Sequence, residues 1–158
     1  MKLLAIIIVA VLASFALPAR ALCTSCTCTV SAPALTFGQY SPSQSLPTDN
    51  TGQVQVSCSG TAGVFVGYTV ALSSGQGSFA QRELKSGSKS LTYNLYADAL
   101  RTQTWGDGTG GSTTVGGAVT LVLVGSISSQ HLMHGRIPAR QNVGSGTYSD
   151  AINVTISY

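Results

Sequence analysis

Tyr148-Ser-Asp-Ala-Ile-Asn-Val-Thr-Ile-Ser-Tyr158 closes the sequence, and its alternation decides the fold class. Tyr148, Ile152, Val154, Ile156 and Tyr158 hold the even positions, with Asp150 the polar exception. Ser149, Ala151, Asn153, Thr155 and Ser157 hold the odd ones. Successive side chains of a strand point to opposite faces, so the segment reads as a strand with one apolar and one small, polar face. With no residue after Tyr158 to pair with it, such a strand needs a partner beside it, from within the fold or from another molecule.

Working back along the chain, the same period of two recurs. Leu35-Thr36-Phe37 follows Pro33 and reads as a first strand. Val54, Val56 and Cys58 alternate with Gln53, Gln55 and Ser57. Val64, Val66, Tyr68, Val70 and Leu72 make a longer run, and Leu91, Tyr93 and Leu95 another. From Val119 to Val124 both faces are largely apolar, which predicts a central strand. Leu132 to Ile137 stops at Pro138, which ends pairing. Between the runs lie turn-forming stretches: Ser41-Pro42-Ser43, Leu46-Pro47-Thr48-Asp49-Asn50, Ser73-Ser74-Gly75-Gln76-Gly77 and Gly144-Ser145-Gly146. Gly106-Asp107-Gly108-Thr109-Gly110-Gly111 is expected to be a long flexible connection. About seven short strands without a helical stripe predict an all-β sandwich.

Residues 1–21 are expected to be an export segment and not part of the fold. Lys2 is basic, Leu3–Leu12 is an unbroken apolar run, and Ala19-Arg20-Ala21 has the small-x-small pattern of a cleavage site. The run is too short to read as a membrane span. Residues 22–158 then form a single domain, long enough for a sizeable core. Without Lys2 and Arg20, six basic residues face five acidic ones, a net charge near +1. No basic patch of the kind nucleic acid requires is visible. Only 8% of residues are charged, against roughly 25% in ordinary soluble proteins. The surface is therefore built from Ser, Thr, Gly, Gln and Asn, which suits packing against copies or relatives.

All four cysteines, Cys23, Cys26, Cys28 and Cys58, follow the export segment, and an even count in that setting reads as disulfides. Cys28 precedes the expected first strand and Cys58 ends the second, so a Cys28–Cys58 bridge would close a loop of about thirty residues. Cys23, Cys26 and Cys28 also spell C-x-x-C-x-C. A redox role would need a helix N-terminus where a strand is expected, and zinc would need a fourth ligand and a reducing setting. A short-range or intermolecular disulfide fits Cys23 and Cys26 better.

Other chemistry is sparse, and no cofactor is expected. His131 and His134 are three apart, which in a strand sends them to opposite faces and defeats a shared metal. Gly106-Asp107-Gly108 offers one carboxylate, too few hard ligands for calcium. Asn153-Val154-Thr155 is formally a glycosylation sequon inside a strand. Trp105 reads as a partly buried core residue or, in the competing reading, as an exposed binding aromatic. No nucleophile, base and orienting group assemble from two histidines and one glutamate, so an enzyme is not expected.

Longer stretches carry a family likeness. Cys28-Thr-Val-Ser-Ala-Pro-Ala-Leu-Thr-Phe-Gly-Gln-Tyr40 resembles the opening of the spore coat protein U domain. So do Gly52-Gln-Val-Gln-Val-Ser-Cys58, Tyr93-Asn-Leu-Tyr-Ala-Asp98 and Trp105-Gly-Asp-Gly108. Gly135-Arg-Ile-Pro-Ala-Arg-Gln-Asn-Val143 followed by Gly146-Thr-Tyr-Ser-Asp150 is the most specific match. The family includes subunits of archaic chaperone–usher pili. The resemblance implies an incomplete immunoglobulin-like sandwich completed by a donated strand. The partners it implies are a periplasmic chaperone, an outer-membrane usher and homologous subunits, and the destination is the cell surface or a spore coat.

On this view Ile152, Val154, Ile156 and Tyr158 border the groove that accepts the strand. A donor, by contrast, needs roughly ten extended residues with alternating apolar side chains. Residues 22–27 do not alternate, so the chain is expected to accept a strand and not to give one, as at a fibre tip or in a coat. The competing function is a self-contained secreted adhesin or lectin that uses the Trp105–Gly111 loop.

Overall fold

The computed structural model describes residues 25–122 and 125–158. The expected export segment and Cys23 lie outside them. The described residues hold eight strands: β1 (Cys26–Ser31), β2 (Thr48–Gly60), β3 (Phe65–Leu72), β4 (Arg82–Ser86), β5 (Lys89–Tyr96), β6 (Val115–Thr120), β7 (Gly125–Ile137) and β8 (Val154–Ser157). They form a five-stranded sheet in the order β1-β2-β7-β5-β4 and a three-stranded sheet in the order β6-β3-β8. All named strand pairings are antiparallel. The result is an all-β, immunoglobulin-like sandwich.

Alternation explains which faces meet. Val54, Val56 and Cys58 of β2, Leu91, Tyr93 and Leu95 of β5, and Met133 and Ile137 of β7 are buried. Val66, Tyr68, Val70 and Leu72 of β3 are buried as well. Burying each such side chain contributes roughly 1.5–3 kcal/mol before conformational entropy is charged. Trp105 spans the interior. Its backbone N–H donates to Leu95 O of one sheet and its indole N–H to Val70 O of the other. The residue is fully buried, more so than a partly covered core aromatic, and is unavailable as a binding aromatic.

Several strand expectations need correction. Cys28 does not precede the first strand but lies inside β1, and Leu35-Thr36-Phe37 joins no sheet. Pro33 is the reason: it has no N–H to continue the β1 ladder. Of the apolar stretch expected as a central strand, Val119 to Val122 are not one, and Leu123 and Val124 lie outside the described residues. Val119 and Thr120 end β6, at the edge of the three-stranded sheet, and the chain leaves the ladder after Thr120. There Leu121 turns inward by donating its N–H to Val64 O, while Val122 is left exposed. The terminal strand is shorter than expected: β8 pairs with β3 only from Val154 to Ser157, and Ser149 makes an isolated bridge with Lys85. The Gly106–Gly111 connection is not loose. Thr109 N–H and hydroxyl both donate to Asp107 Oδ1, and Ser112 Oγ donates to Thr109 O.

Cys28 and Cys58 are directly opposite in the β1–β2 register and are joined by a disulfide. Their sequence separation is 30. The bridge ties neighbouring strands of one sheet instead of linking the two sheets. Restricting a loop of that length in the unfolded chain is worth about 2–4 kcal/mol. Replacing both cysteines, Cys28→Ser with Cys58→Ser, is therefore expected to lower unfolding stability by about 2–4 kcal/mol, read from urea midpoints of the oxidised wild type and the variant. An unchanged midpoint would refute this account of the bridge.

Candidate functional site: an apolar groove between two unpaired edges

Ile152, Val154 and Ile156 are half-buried along one face, while Ala151, Asn153, Thr155 and Ser157 are exposed. The alternation read from the sequence thus persists in burial beyond the four-residue ladder of β8. Tyr158 departs from it, being 41% exposed. Ile152 and Val154 line a groove on the flank of the sandwich, whereas Ile156 packs against the core beside it.

The groove has two walls and a floor. One wall is residues 32–41, which follow β1 and join neither sheet. The other is residues 143–154. Leu84, Leu91, Tyr93, Leu95, Met133 and Ile137 make the floor. A narrow end of about 200 Å³ lies near Pro33 and Val154. A wider end of about 1100 Å³ lies between residues 34–44 and 143–150.

Both walls expose backbone to the gap. β8 stands at the end of its sheet, hydrogen-bonded to β3 on one edge only. Among the described residues, no backbone N–H of residues 34–40 donates a hydrogen bond, and only Thr36 O accepts one, from Asn50 Nδ2. Backbone groups left in this way next to an apolar floor are a template for another strand.

What holds the first wall in place is largely glycine. Gly52 of β2 and Gly135 of β7 lie where the sheet must be thin. A Cβ on Gly135 would come within 2.6 Å of Leu35 Cδ2 and 2.7 Å of the Phe37 ring. Leu35 and Phe37 therefore sit directly on bare backbone, and Phe37 packs edge-on against Tyr93 with ring centroids 5.9 Å apart. An isolated glycine inside a strand signals close approach of this kind. The Gly52 and Gly135 positions were the available sequence signal for a wall that alternation did not reveal.

The second wall is braced by a polar network. Arg82 is fully buried. Its Nη1 donates to Asn94 Oδ1 at 2.7 Å, and its Nη2 to Ser73 O and Trp105 O at 2.8 Å each. Ser73 in turn donates its N–H to Asn153 O and accepts from Asn153 N–H through Oγ, both at 2.9 Å. Burial lowers the guanidinium pKa, yet arginine remains charged, so these oxygens must satisfy it. Asp150 accepts from Gln76 N–H at 3.1 Å and from the Tyr93 hydroxyl at 2.7 Å, joining wall to floor.

The remaining sequence candidates lie elsewhere. His131 Nε2 lies 2.9 Å from the Tyr68 hydroxyl inside the sandwich, and burial lowers its pKa. His134 lies on the opposite face, beside Thr51. Cys26 is not a free thiol. No cluster of three metal-ligating side chains occurs among the described residues, nor does any helix long and apolar enough to cross a membrane.

Burial, followed by the bond to Asp150, pushes the Tyr93 pKa far above that of free tyrosine. The folded state thus keeps the neutral phenol while the unfolded chain ionises near pH 10. The stabilisation is complete below about pH 10 and is lost as pH rises beyond it. Between about pH 9 and about pH 11, Tyr93→Phe should lose less stability in urea than the wild type. Equal losses would contradict the assignment.

Comparison with known proteins agrees with this architecture. A search of curated proteins found no match. Among solved structures, the chain is similar to one in the crystal structure of the CsuC–CsuE chaperone–tip adhesion subunit pre-assembly complex from archaic chaperone–usher Csu pili of Acinetobacter baumannii. The TM-score is 0.53 at 18% sequence identity, over 84% of this chain and 40% of that one. The present chain thus spans less than half the length of that relative, and at this identity the likeness is one of fold. The family model for the Spore Coat Protein U domain matches residues 13–155. A match over most of the sequence settles the family: the chain belongs to the spore coat protein U domain family.

Proposed function

We propose that this chain is an assembly subunit of a surface fibre or coat, and that its groove accepts an extended strand from another protein. As a member of its family, the chain is a structural protein and not an enzyme. The observation that carries the strand-accepting role is a pair of walls across an apolar floor: residues 34–40, whose backbone is nearly unpaired, and the segment that runs into the free edge of β8 at Val154. A strand laid between them would exchange hydrogen bonds with both edges and bury alternate side chains on Leu84, Leu91 and Met133.

Two sources of that strand fit a chaperone–usher route. A periplasmic chaperone would lend one during export, and a homologous subunit would replace it during assembly at an outer-membrane usher. The neighbour seen as a chaperone–subunit pre-assembly complex supports the first step. Residues 1–21 would direct the chain into that compartment. Ile152 and Val154 form the rim on which the strand would lie, with Ile156 packed beside it and Tyr158 exposed at the end of the same face. The reading as a self-contained lectin is disfavoured, because Trp105 is buried and the loop after it keeps no aromatic side chain to present.

Periplasmic expression with and without a cognate chaperone tests the proposal, using Val154→Asp as the groove variant. A carboxylate on the apolar rim costs several kcal/mol of burial unless it is paired. The expected result is wild-type protein soluble only with the chaperone, and at least tenfold weaker chaperone capture of Val154→Asp. Soluble wild type without chaperone, or equal capture of the variant, would overturn the reading.

A further inference from the structure

Residues 34–40 hold their position with almost no backbone pairing, so side chains must fix the wall. At its narrow end the anchors are Leu35 and Phe37 on the glycine notch. At its wide end Asn50 and Gln44 tie the wall to β2, and one hydroxyl ties it to the turn after β7. Tyr40 Oη donates to Pro138 O at 3.1 Å and accepts from Gln141 N–H at 2.7 Å.

The turn that receives Tyr40 is itself rigid. Pro138 ends β7, and β5 pairs with β7 only from Asn94 to Tyr96. Thr92 would be left without a partner on that side. The Gln141 carboxamide supplies one, accepting from Thr92 N–H at 2.8 Å and donating to Thr92 O at 2.7 Å. The same carboxamide donates to Pro138 O at 3.1 Å. Arg140 adopts a left-handed backbone, φ 59°, to close the turn. The sheet thus offers a fixed pair of backbone atoms, and Tyr40 is the one side chain of the wall that reaches them.

We propose that the Tyr40 hydroxyl is a positioning group that presets the width of the groove for the incoming strand. The proposal rests on the reading of the groove as a strand acceptor. With the hydroxyl bonded, the backbone edge of residues 34–40 stands ready opposite residues 143–154. Without it, no bond ties the wide end of the wall to the turn after β7; the Asn50–Thr36 bond and the Ser41–Gln44–Thr48 link to β2 remain, and only a fraction of molecules present the competent edge. A smaller competent fraction lowers apparent affinity in proportion, through slower association. Once the strand is bound, its own hydrogen bonds hold the wall, so dissociation is unaffected.

Tyr40→Phe removes the hydroxyl and keeps the ring. Ser57→Ala is the control, since Ser57 Oγ bonds Ser128 Oγ on the outer face, away from the groove. The probe is a fluorescein-labelled peptide of about twelve residues, with valine at alternate positions, serine and threonine between them and a lysine at each end. Each protein is released from its chaperone and mixed at once with the peptide. The expected result for Tyr40→Phe is association about fivefold slower than wild type, with unchanged dissociation. Ser57→Ala should associate like the wild type. In parallel, chymotrypsin should cleave after Leu35 and Phe37 faster in Tyr40→Phe, and not in Ser57→Ala. Equal cleavage in all three proteins would overturn the latch, and so would faster cleavage with unchanged association. Wild-type protein that binds no peptide would overturn the strand-acceptor reading itself, whatever the cleavage pattern.

Discussion

Two backbone edges that face each other without touching are the constraint on which this structure turns. β8 has one hydrogen-bonded neighbour, and residues 34–40 have almost none. Between them runs a floor of apolar side chains contributed by the five-stranded sheet. A peptide group away from water needs a partner, and an apolar surface gains from cover. Both demands are met by the same object, an extended chain with alternating apolar side chains.

Much of the surrounding architecture serves to keep those edges apart and in place. On one side, Leu35 and Phe37 rest on Gly52 and Gly135, where the absence of side chains lets a second layer approach the sheet. On the other, a buried guanidinium fixes Ser73, and Ser73 fixes Asn153 at the start of β8. An arginine buried without a carboxylate beside it is costly unless its donors are satisfied. Here the satisfying oxygens belong to Ser73, Trp105 and Asn94, from three different parts of the chain. The charge therefore acts as a point of convergence, and the edge strand inherits its position from the interior.

The same constraint orders the disulfide and the tryptophan. Cys28–Cys58 clips β1 to β2, so the strand that leads into the first wall cannot peel away. Trp105, fully buried, donates to a backbone carbonyl of each sheet, Leu95 O and Val70 O, and so ties the two layers together. A sandwich with one open flank gains from extra stitching elsewhere, because the missing contacts would otherwise have supplied stability.

The sequence by itself determined the all-β class, the alternating face of Ile152, Val154 and Ile156, the pairing partners Cys28 and Cys58, and the family. These are local patterns or spacings, and a period of two survives whatever the strand packs against. It was silent about β4, whose Arg82-Glu-Leu-Lys-Ser86 has charges on both sides of one leucine. It was also silent about the first half of β7, where Ile127 is the one apolar residue between Gly125 and Gln130. It placed a strand at Leu35-Thr36-Phe37 where the tertiary structure puts an unpaired wall. It could not say that Tyr40 meets the turn at Pro138 and Gln141, about a hundred residues away. The groove is made by segments far apart in sequence, and its width depends on which backbone atoms find partners across that distance. Only the folded chain decides that, because hydrogen-bond satisfaction is a property of three-dimensional neighbours and not of sequence period.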